Sequence, residues 1–216
     1  MAMLNVVISF SILLFSFGLD QAYVREFHES NNKPALFKAV LFPGLFVLLL
    51  TLGVLLSFDN IISIWLFNID SHLLSVMVAI ALLSTFISRF LSLILRMNEQ
   101  GMAFSMSQVL PKILLVSIIG CYVIFSVAKD IEYLVLANVA SILFVCIVFS
   151  WNTRKEWLSG LKEKIEIDYL KKLLRFGFPL IFGGLAFWGL TATDKIFLKE
   201  LSSFEQLGLY SVAVSF

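Results

Sequence analysis

An acidic and a basic residue, Asp194 and Lys195, stand side by side within a long apolar stretch, GGLAFWGLTATDKIFLKE (residues 183–200). In water they would form an ordinary exposed ion pair. In a membrane, each charge costs about 3 kcal/mol at the bilayer centre unless it faces water or a partner. The pair therefore either faces a polar cavity or anchors a helix at the membrane surface. Which chemistry applies depends on the solvent around the chain.

The composition identifies that solvent as a lipid bilayer. Hydrophobic residues make up 60% of the chain and charged residues only 14%, whereas soluble domains carry about 25% charged residues. A membrane-spanning helix needs about 20 mainly apolar residues. Six charge-free windows approach or reach that length: 1–19, 39–58, 71–88, 113–128, 133–153 and 176–193. The sequence therefore predicts an all-α, polytopic transmembrane bundle, with a seventh helix beginning in LGLYSVAVSF (207–216).

Other classes fit the sequence less well. Six apolar windows are too many for the core helices of a soluble protein, and runs such as LFVLLLTLGVLL lack the alternation of a transmembrane β-barrel. Cys121 and Cys146 lie in separate apolar windows, which favours packing roles. A net charge of +1 without a basic block does not suit nucleic-acid binding.

The basic residues predict the orientation, because Lys and Arg collect on the cytoplasmic side of membrane proteins. Alternating the sides of the predicted helices places 13 basic residues on one side and 3 on the other. The smaller set is Lys129, Lys195 and Lys199. Met1 is then external, although no signal peptide precedes it. We therefore expect the chain to be an internal fragment, with at least one helix missing before Met1 and more after Phe216. The alternative is a short protein whose first helix is a reverse anchor.

The predicted helices cover residues 38–57, 71–95, 107–128 and 133–151, after a first helix that ends near Arg25. Pro43 and Gly44 predict a kink. Residues 157–174 combine many charges with an apolar stripe at spacings of three and four, which predicts an amphipathic helix on the inner membrane surface. A solvated linker helix is the alternative. The stripe consists of Leu158, Leu161, Ile165, Tyr169 and Leu173.

The sixth predicted helix contains the opening stretch. Pro179 falls in its first turn, where the missing N–H does least harm. Gly183, Gly184 and Gly189 predict close contacts with neighbouring helices. Asp194 lies about 24 Å along the helix from its start, near the outer membrane boundary, and shares a face with Gly183.

This stretch resembles the seventh and eighth helices of bacterial oligosaccharide flippases of the multidrug and polysaccharide exporter superfamily. That family reads Gly-x-Pro, an apolar helix, Asp followed by a basic residue, and a closing Gly-x-Tyr-Ser-Val-Ala. Lys195 replaces the arginine more usual in its position. FGLDQAYVREFHE is similar to the end of the family's second helix, and LILRMNEQGMAFSM is similar to the segment after its fourth helix. The matching positions are Gly177, Pro179, Asp194, Lys195, Phe197, Leu198, Gly208, Tyr210, Ser211, Val212, Ala213, Arg25, Phe27, Glu29 and Arg96.

The resemblance implies a MATE-like fold with two lobes of six helices. Residues 1–151 would form the remainder of the N-terminal lobe with five transmembrane helices, residues 152–175 a cytoplasmic amphipathic connector, and residues 176–216 the start of the C-terminal lobe. It implies a multi-pass protein of the bacterial inner membrane that acts in polysaccharide biosynthesis, such as that of O-antigen or capsule. A lipid-linked oligosaccharide would cross from the cytoplasmic to the external leaflet by alternating access.

The same resemblance implies the partners and the site residues. The substrate would be an undecaprenyl-diphosphate-linked oligosaccharide, whose diphosphate needs a cationic, polar path. Arg25, Arg89 and Arg96 on the inner side are candidates to bind it, although each also fits simple cytoplasmic anchoring. Asp194 and Lys195 on the outer side are candidates for substrate release or for coupling to H⁺ or Na⁺. No cofactor or metal is implied.

Two rivals stay open at this stage. A membrane-embedded polysaccharide polymerase or ligase needs catalytic groups in a sizeable external loop, whereas the external loops predicted here are short. His28 and His72 are also predicted on opposite sides of the membrane. A multidrug exporter of the same superfamily would share the fold. Neighbouring glycosyltransferase genes would favour the flippase over drug export.

Overall fold

The computed structural model describes residues 2–58, 60–125, 131–163 and 165–201, together with Tyr210 and Ala213. These residues form an all-α structure, as the sequence predicts. The helices within this part of the chain are α1 (Ala2–Ser16), α2 (Leu19–Glu26), α3 (Lys33–Ser57), α4 (Ile61–Phe67), α5 (His72–Met97), α6 (Gly101–Ile124), α7 (Ile131–Asn152), α8 (Arg154–Lys162) and α9 (Ile167–Leu201).

Five of these helices, α3, α5, α6, α7 and α9, are long and apolar enough to cross a membrane. The pair α1 and α2 makes a sixth span if the two are taken together, with a 57° bend between them. The count of six predicted from the charge-free windows thus depends on reading the bent pair as one span. The predicted seventh helix lies outside the described residues, apart from Tyr210 and Ala213. The chain is a multi-pass membrane protein.

The helix α5 forms the centre of the bundle and contacts α1, α3, α4, α6 and α7. Its buried residues include Phe86 and Phe90, whose ring centroids lie 5.0 Å apart. Lipid tails are as apolar as these side chains, so the association of the helices depends on close packing rather than on the hydrophobic effect. The charged side chain of Arg89 extends from α5 out of this packed centre. A charge on a membrane helix needs a partner or water.

The break between α1 and α2 is built from two residues with left-handed backbone conformations, Phe17 (φ 50) and Gly18 (φ 67). Gly18 also lies against Gly177 of α9, so closely that a Cβ atom on Gly18 would overlap the Gly177 backbone. A Cβ on Gly177 would lie 2.6 Å from the carbonyl oxygen of Phe17. The bend and the crossing of α9 therefore depend on the same pair of glycines.

Among the described residues, Gly184 makes the close contact expected of the glycines in the sixth helix, and Gly183 and Gly189 do not. A Cβ atom on either of these two would have no described atom of a neighbouring element within 4 Å. Only Gly184 packs closely, against the side chain of Leu13. The reason is rotational: α9 turns Ile181, Gly184, Trp188 and Ala192 toward the rest of the bundle, and the face of Gly183 points away from it.

The connector also differs from the single amphipathic helix predicted over residues 157–174. It consists of α8 and the first turns of α9, separated by an extended residue, Glu163 (ψ 154). The side chain of Lys38, in α3, binds the C-terminal end of α8. Its Nζ donates hydrogen bonds to the carbonyl oxygens of Leu161 (2.9 Å) and Glu163 (2.7 Å). The predicted stripe is divided accordingly, with Leu158 and Leu161 exposed and Leu173 buried.

Two further boundaries depart from the prediction. Pro179 does not begin a helix but lies inside α9, which continues from Ile167 through it. The loop predicted between the second and third spans contains the short helix α4, which packs against α5. Both differences arise from tertiary contacts that local sequence patterns do not reveal. Pro43 lies within α3, as expected, and the neighbouring Gly44 packs against the carbonyl oxygen of Phe15.

Candidate functional site

The partner of Arg89 is Asp20, which lies in the first turn of α2 directly after the break. The Arg89 Nη2 atom lies 3.1 Å from the Asp20 Oδ2 atom. The Asp20 side chain is only 11% exposed, while 44% of the Arg89 side chain remains accessible. Arg89 lies about 12 Å from the end of α5 at 1.5 Å per residue. The guanidinium therefore bonds to a carboxylate within the bundle and does more than reach the membrane surface.

A cleft of about 290 Å³, with both polar and apolar lining residues, adjoins this ion pair. Arg89 and Lys112 supply two positive charges, and Gln108 and several hydroxyl groups add uncharged polar atoms. In the sequence, Lys112 is one of the 13 basic residues on the side predicted to be cytoplasmic. The residues that line the cleft come from α1, α5, α6 and α7: Ile12, Thr85, Ser88, Arg89, Ser92, Ser107, Gln108, Pro111, Lys112, Ile142 and Val145.

Arg25 lies in a different place, in a second cleft of about 460 Å³ between α2 and the start of α9. Its guanidinium carbon lies 4.4 Å from the centre of the Phe176 ring, which is a cation–π distance. We call this the basic cleft. Its lining residues are Ala22, Arg25, Glu26, Asp168, Lys171, Lys172, Leu173, Arg175 and Phe176. The lysines were predicted as part of a surface helix and Arg175 as the last residue of the connector, and the crossing of α2 and α9 places them beside Arg25.

Arg96 contributes to neither cleft. It is exposed in the last turn of α5, where a positive charge interacts favourably with the helix dipole. This position fits the anchoring alternative better than the binding role that the resemblance implies.

Asp194 and Lys195 lie near the far end of α9. Asp194 is exposed, and its Oδ2 atom accepts a hydrogen bond from the hydroxyl of Tyr210 at 2.7 Å. Lys195 is half-buried. Asp194 lies on the face of α9 opposite the face that packs on α1, where Trp188 Nε1 donates to the Val6 carbonyl oxygen (3.3 Å) and to Ser9 Oγ (3.2 Å). Two residues of the C-terminal motif are thus in direct contact.

The five predicted site residues therefore occupy four separate places, because Asp194 and Lys195 are neighbours on α9. Arg89 pairs with Asp20, Arg25 lines the basic cleft, Arg96 is exposed at a helix end, and Asp194 bonds to Tyr210. The sequence reasoning did not select Asp20, although a signal was present: Asp20 is the first charged residue after the opening apolar window. The basic cleft had no comparable signal, because its two sides are about 150 positions apart in the chain.

Comparison with known proteins places the chain in a family. The sequence profile of the family described as "Polysaccharide biosynthesis protein" matches residues 1–216. Neither a curated protein nor a solved structure matches the chain significantly. The match spans the whole sequence and includes the bent first span, the connector and the Asp194 motif. This protein is therefore a member of the polysaccharide biosynthesis protein family.

Proposed function

We propose that the protein transports an oligosaccharide linked to a polyprenyl diphosphate, such as undecaprenyl diphosphate, from the cytoplasmic to the external leaflet of the bacterial inner membrane. The two halves of a 6+6 MATE-like fold would alternate in opening to each side. Family membership supports a role in polysaccharide export. The physical reason for a protein is that a sugar diphosphate cannot cross hydrocarbon unaided, whereas its prenyl tail can remain in lipid.

The observation that carries this proposal is the Asp20–Arg89 ion pair beside a broken span. Charged residues within membrane helices are costly and commonly mark substrate or ion pathways. Discontinuous helices often form the binding sites of transporters. Here the break at Phe17 and Gly18, the nearly buried carboxylate of Asp20, and a cleft with two cations occur together. A bundle that only anchored an enzyme would have no physical need for this combination.

The family match favours glycan transport over multidrug export, which shares the fold implied by the resemblance. The clefts support the same choice, because their surplus of cations suits an anionic diphosphate better than the cationic drugs that many exporters carry. We further propose that Asp194, near the end of α9 farther from the basic cleft, takes part in substrate release or in coupling of transport to H⁺ or Na⁺. Its hydrogen bond from Tyr210 would hold the carboxylate in position.

Reconstitution of the native full-length protein tests the proposal. Vesicles would contain a short oligosaccharide on a polyprenyl diphosphate, and external periodate would oxidise only the glycans that reach the outer leaflet. We expect the protein to expose the inner pool, and Arg89→Gln to slow this exposure by at least about tenfold. Lys155→Gln, which removes an exposed charge on α8, is the matched control and should be neutral.

Two outcomes would contradict the proposal. Vesicles with the protein would oxidise no more glycan than empty vesicles, or they would transport a cationic dye and leave the glycan inside. The second outcome would support the multidrug alternative. Equal loss of rate in Arg89→Gln and Lys155→Gln would show that the ion pair has no particular part in the path.

A further inference from the structure

We infer that the basic cleft between α2 and α9 is a phosphate-binding site, and that it takes the diphosphate of the lipid-linked substrate before translocation. This inference rests on the proposed function for the identity of the ligand. The site itself follows from the contacts of the described residues. It adds Lys171, Lys172 and Arg175 of the connector to a role that the sequence suggests for Arg25, Arg89 and Arg96.

The basic cleft carries a net positive charge. Four cationic side chains and two carboxylates line it, which leaves a surplus of two positive charges. A diphosphate diester carries about two negative charges, so the ligand would neutralise the cleft. Arg and Lys are the side chains that bind phosphate oxygens most strongly, through charge-assisted hydrogen bonds. The cations are Arg25, Lys171, Lys172 and Arg175, and the carboxylates belong to Glu26 and Asp168.

The two carboxylates of the cleft neutralise its positive charge to different extents. Lys172 Nζ lies 3.0 Å from Glu26 Oε2, and the Glu26 side chain is only 9% exposed. This pair is structural, since the nearly buried carboxylate needs its partner. Lys171 lies 3.5 Å from Asp168, but both side chains are more than two-thirds exposed, so the pair contributes little. Arg25 and Arg175 have no carboxylate within ion-pair distance among the described residues, and both are exposed.

The cations of the cleft are held in position before a ligand binds. The Phe176 ring supports the Arg25 guanidinium at 4.4 Å, which leaves the edge of the guanidinium open to an anion. The Gly18–Gly177 contact sets the separation of the two walls, since neither glycine can carry a side chain there without a shift of backbone. Cations held on two rigid helices lose less entropy on binding than cations on a flexible linker. An ordinary positive surface would lack both features.

An anionic membrane lipid offers the same phosphate chemistry, and it is the alternative source. The two differ in charge and in location. A phospholipid head group carries one phosphate and would bind any exposed cation near the membrane, including those of α8. A diphosphate should discriminate between the cleft and α8, because only the cleft brings several cations together.

The test uses the native full-length protein in phosphatidylcholine vesicles, with farnesyl diphosphate as the probe and calorimetry as the readout. The double variant Lys171→Gln/Arg175→Gln removes two exposed cations of the basic cleft and leaves the Lys172–Glu26 pair intact. We expect it to weaken binding by at least about tenfold. The matched control, Lys155→Gln/Lys162→Gln, removes two exposed charges from α8 and should bind the probe as the native protein does.

Two results would overturn the inference. Equal weakening in both double variants would mean that the probe responds to general positive charge. Abolition of probe binding when phosphatidylglycerol replaces part of the phosphatidylcholine would identify membrane lipid as the true ligand. Calorimetry measures equilibrium binding of the probe, so the result does not require flipping. Unimpaired glycan flipping by the variant that loses probe binding would reject the role of this site in translocation, while the phosphate site and the proposed function would both stand.

Discussion

At the scale of single residues, the contact between Asp194 and Tyr210 changes how the adjacent charges of α9 are understood. The sequence leaves a cavity-facing carboxylate and an interfacial Asp–Lys pair equally open. In the structure Asp194 accepts a hydrogen bond from Tyr210, sixteen positions later in the chain, rather than an ion pair from Lys195. This arrangement gives the carboxylate a fixed orientation. The prediction that Asp194 faces a cavity between two lobes is not tested by the described residues and stays a prediction.

We predict that Asp194→Asn lowers glycan export in cells that carry the full-length protein, because the amide lacks the charge needed for release or ion coupling. Tyr210→Phe should lower export by roughly tenfold or less, since a hydrogen bond to a charged group contributes about 1.5–3 kcal/mol and Asp194 is exposed. Lys195→Arg restores the family's usual residue and should be tolerated. The measurement is surface glycan at matched expression. Normal export by Asp194→Asn would reduce the residue to a membrane anchor.

How much of the candidate site the sequence could predict differs from residue to residue. Arg25, Arg89 and Asp194 stand out because a charge within or beside an apolar window is costly. Their partners do not stand out. Asp20 is distant from Arg89 in the chain, and Lys172 is further still from Glu26. A local sequence pattern indicates that a charge is costly to bury, but it does not indicate which distant group offsets that cost.

At the scale of helices, the crossing of α2 and α9 is the element that assembles the basic cleft. It depends on Gly18 and Gly177, which allow two backbones to touch. The predicted glycine contacts at Gly183 and Gly189 are absent from the described structure, although these residues occupy the same helix as Gly177. Glycine content alone indicates that close approach is possible, but not which face of a helix uses it.

We predict that Gly18→Ala destabilises the protein by at least about 2 kcal/mol, because alanine is strained in a left-handed conformation and its Cβ would overlap the Gly177 backbone. Gly177→Ala should act in the same direction. Gly183→Ala is the matched control, since its Cβ meets no neighbouring element and alanine favours a helix interior. Thermal unfolding of the purified protein, followed by tryptophan fluorescence, measures the difference. Equal melting temperatures for Gly18→Ala and Gly183→Ala would contradict the crossing.

At the scale of the whole molecule, one end of the bundle is basic. The end of α5, the start of α3, the connector and the basic cleft all belong to it. The opposite end contains α4 and the contact of Ser71 with Glu132 at 3.4 Å. At the basic end, Lys38 of α3 donates a hydrogen bond to the carbonyl oxygen of Glu163, which directly follows α8. The chain after Glu163 turns toward α2. The orientation rule predicts that this basic end is cytoplasmic.

Cysteine accessibility tests that orientation. In a variant without native thiols (Cys121→Ser, Cys146→Ala), Ser159→Cys on α8 should react with an impermeant maleimide only after the cells are permeabilised. Ser57→Cys should react in intact cells, because α3 is about 37 Å long and crosses the hydrocarbon core. Ser203→Cys, outside the described residues, should behave like Ser57→Cys. Labelling of Ser159→Cys in intact cells would reverse the topology.

The amino-acid sequence by itself determined the solvent, the all-α class and the approximate position of each span, because transfer of a helix into lipid depends on the sum of its own side chains. Tertiary structure decided where helices break and which charges meet. The division of the connector at Glu163 follows from hydrogen bonds donated by Lys38, more than 120 positions earlier. The basic cleft follows from a contact between Gly18 and Gly177. Such features arise from packing between segments distant in the chain, and a single charge or glycine carries no information about its partner.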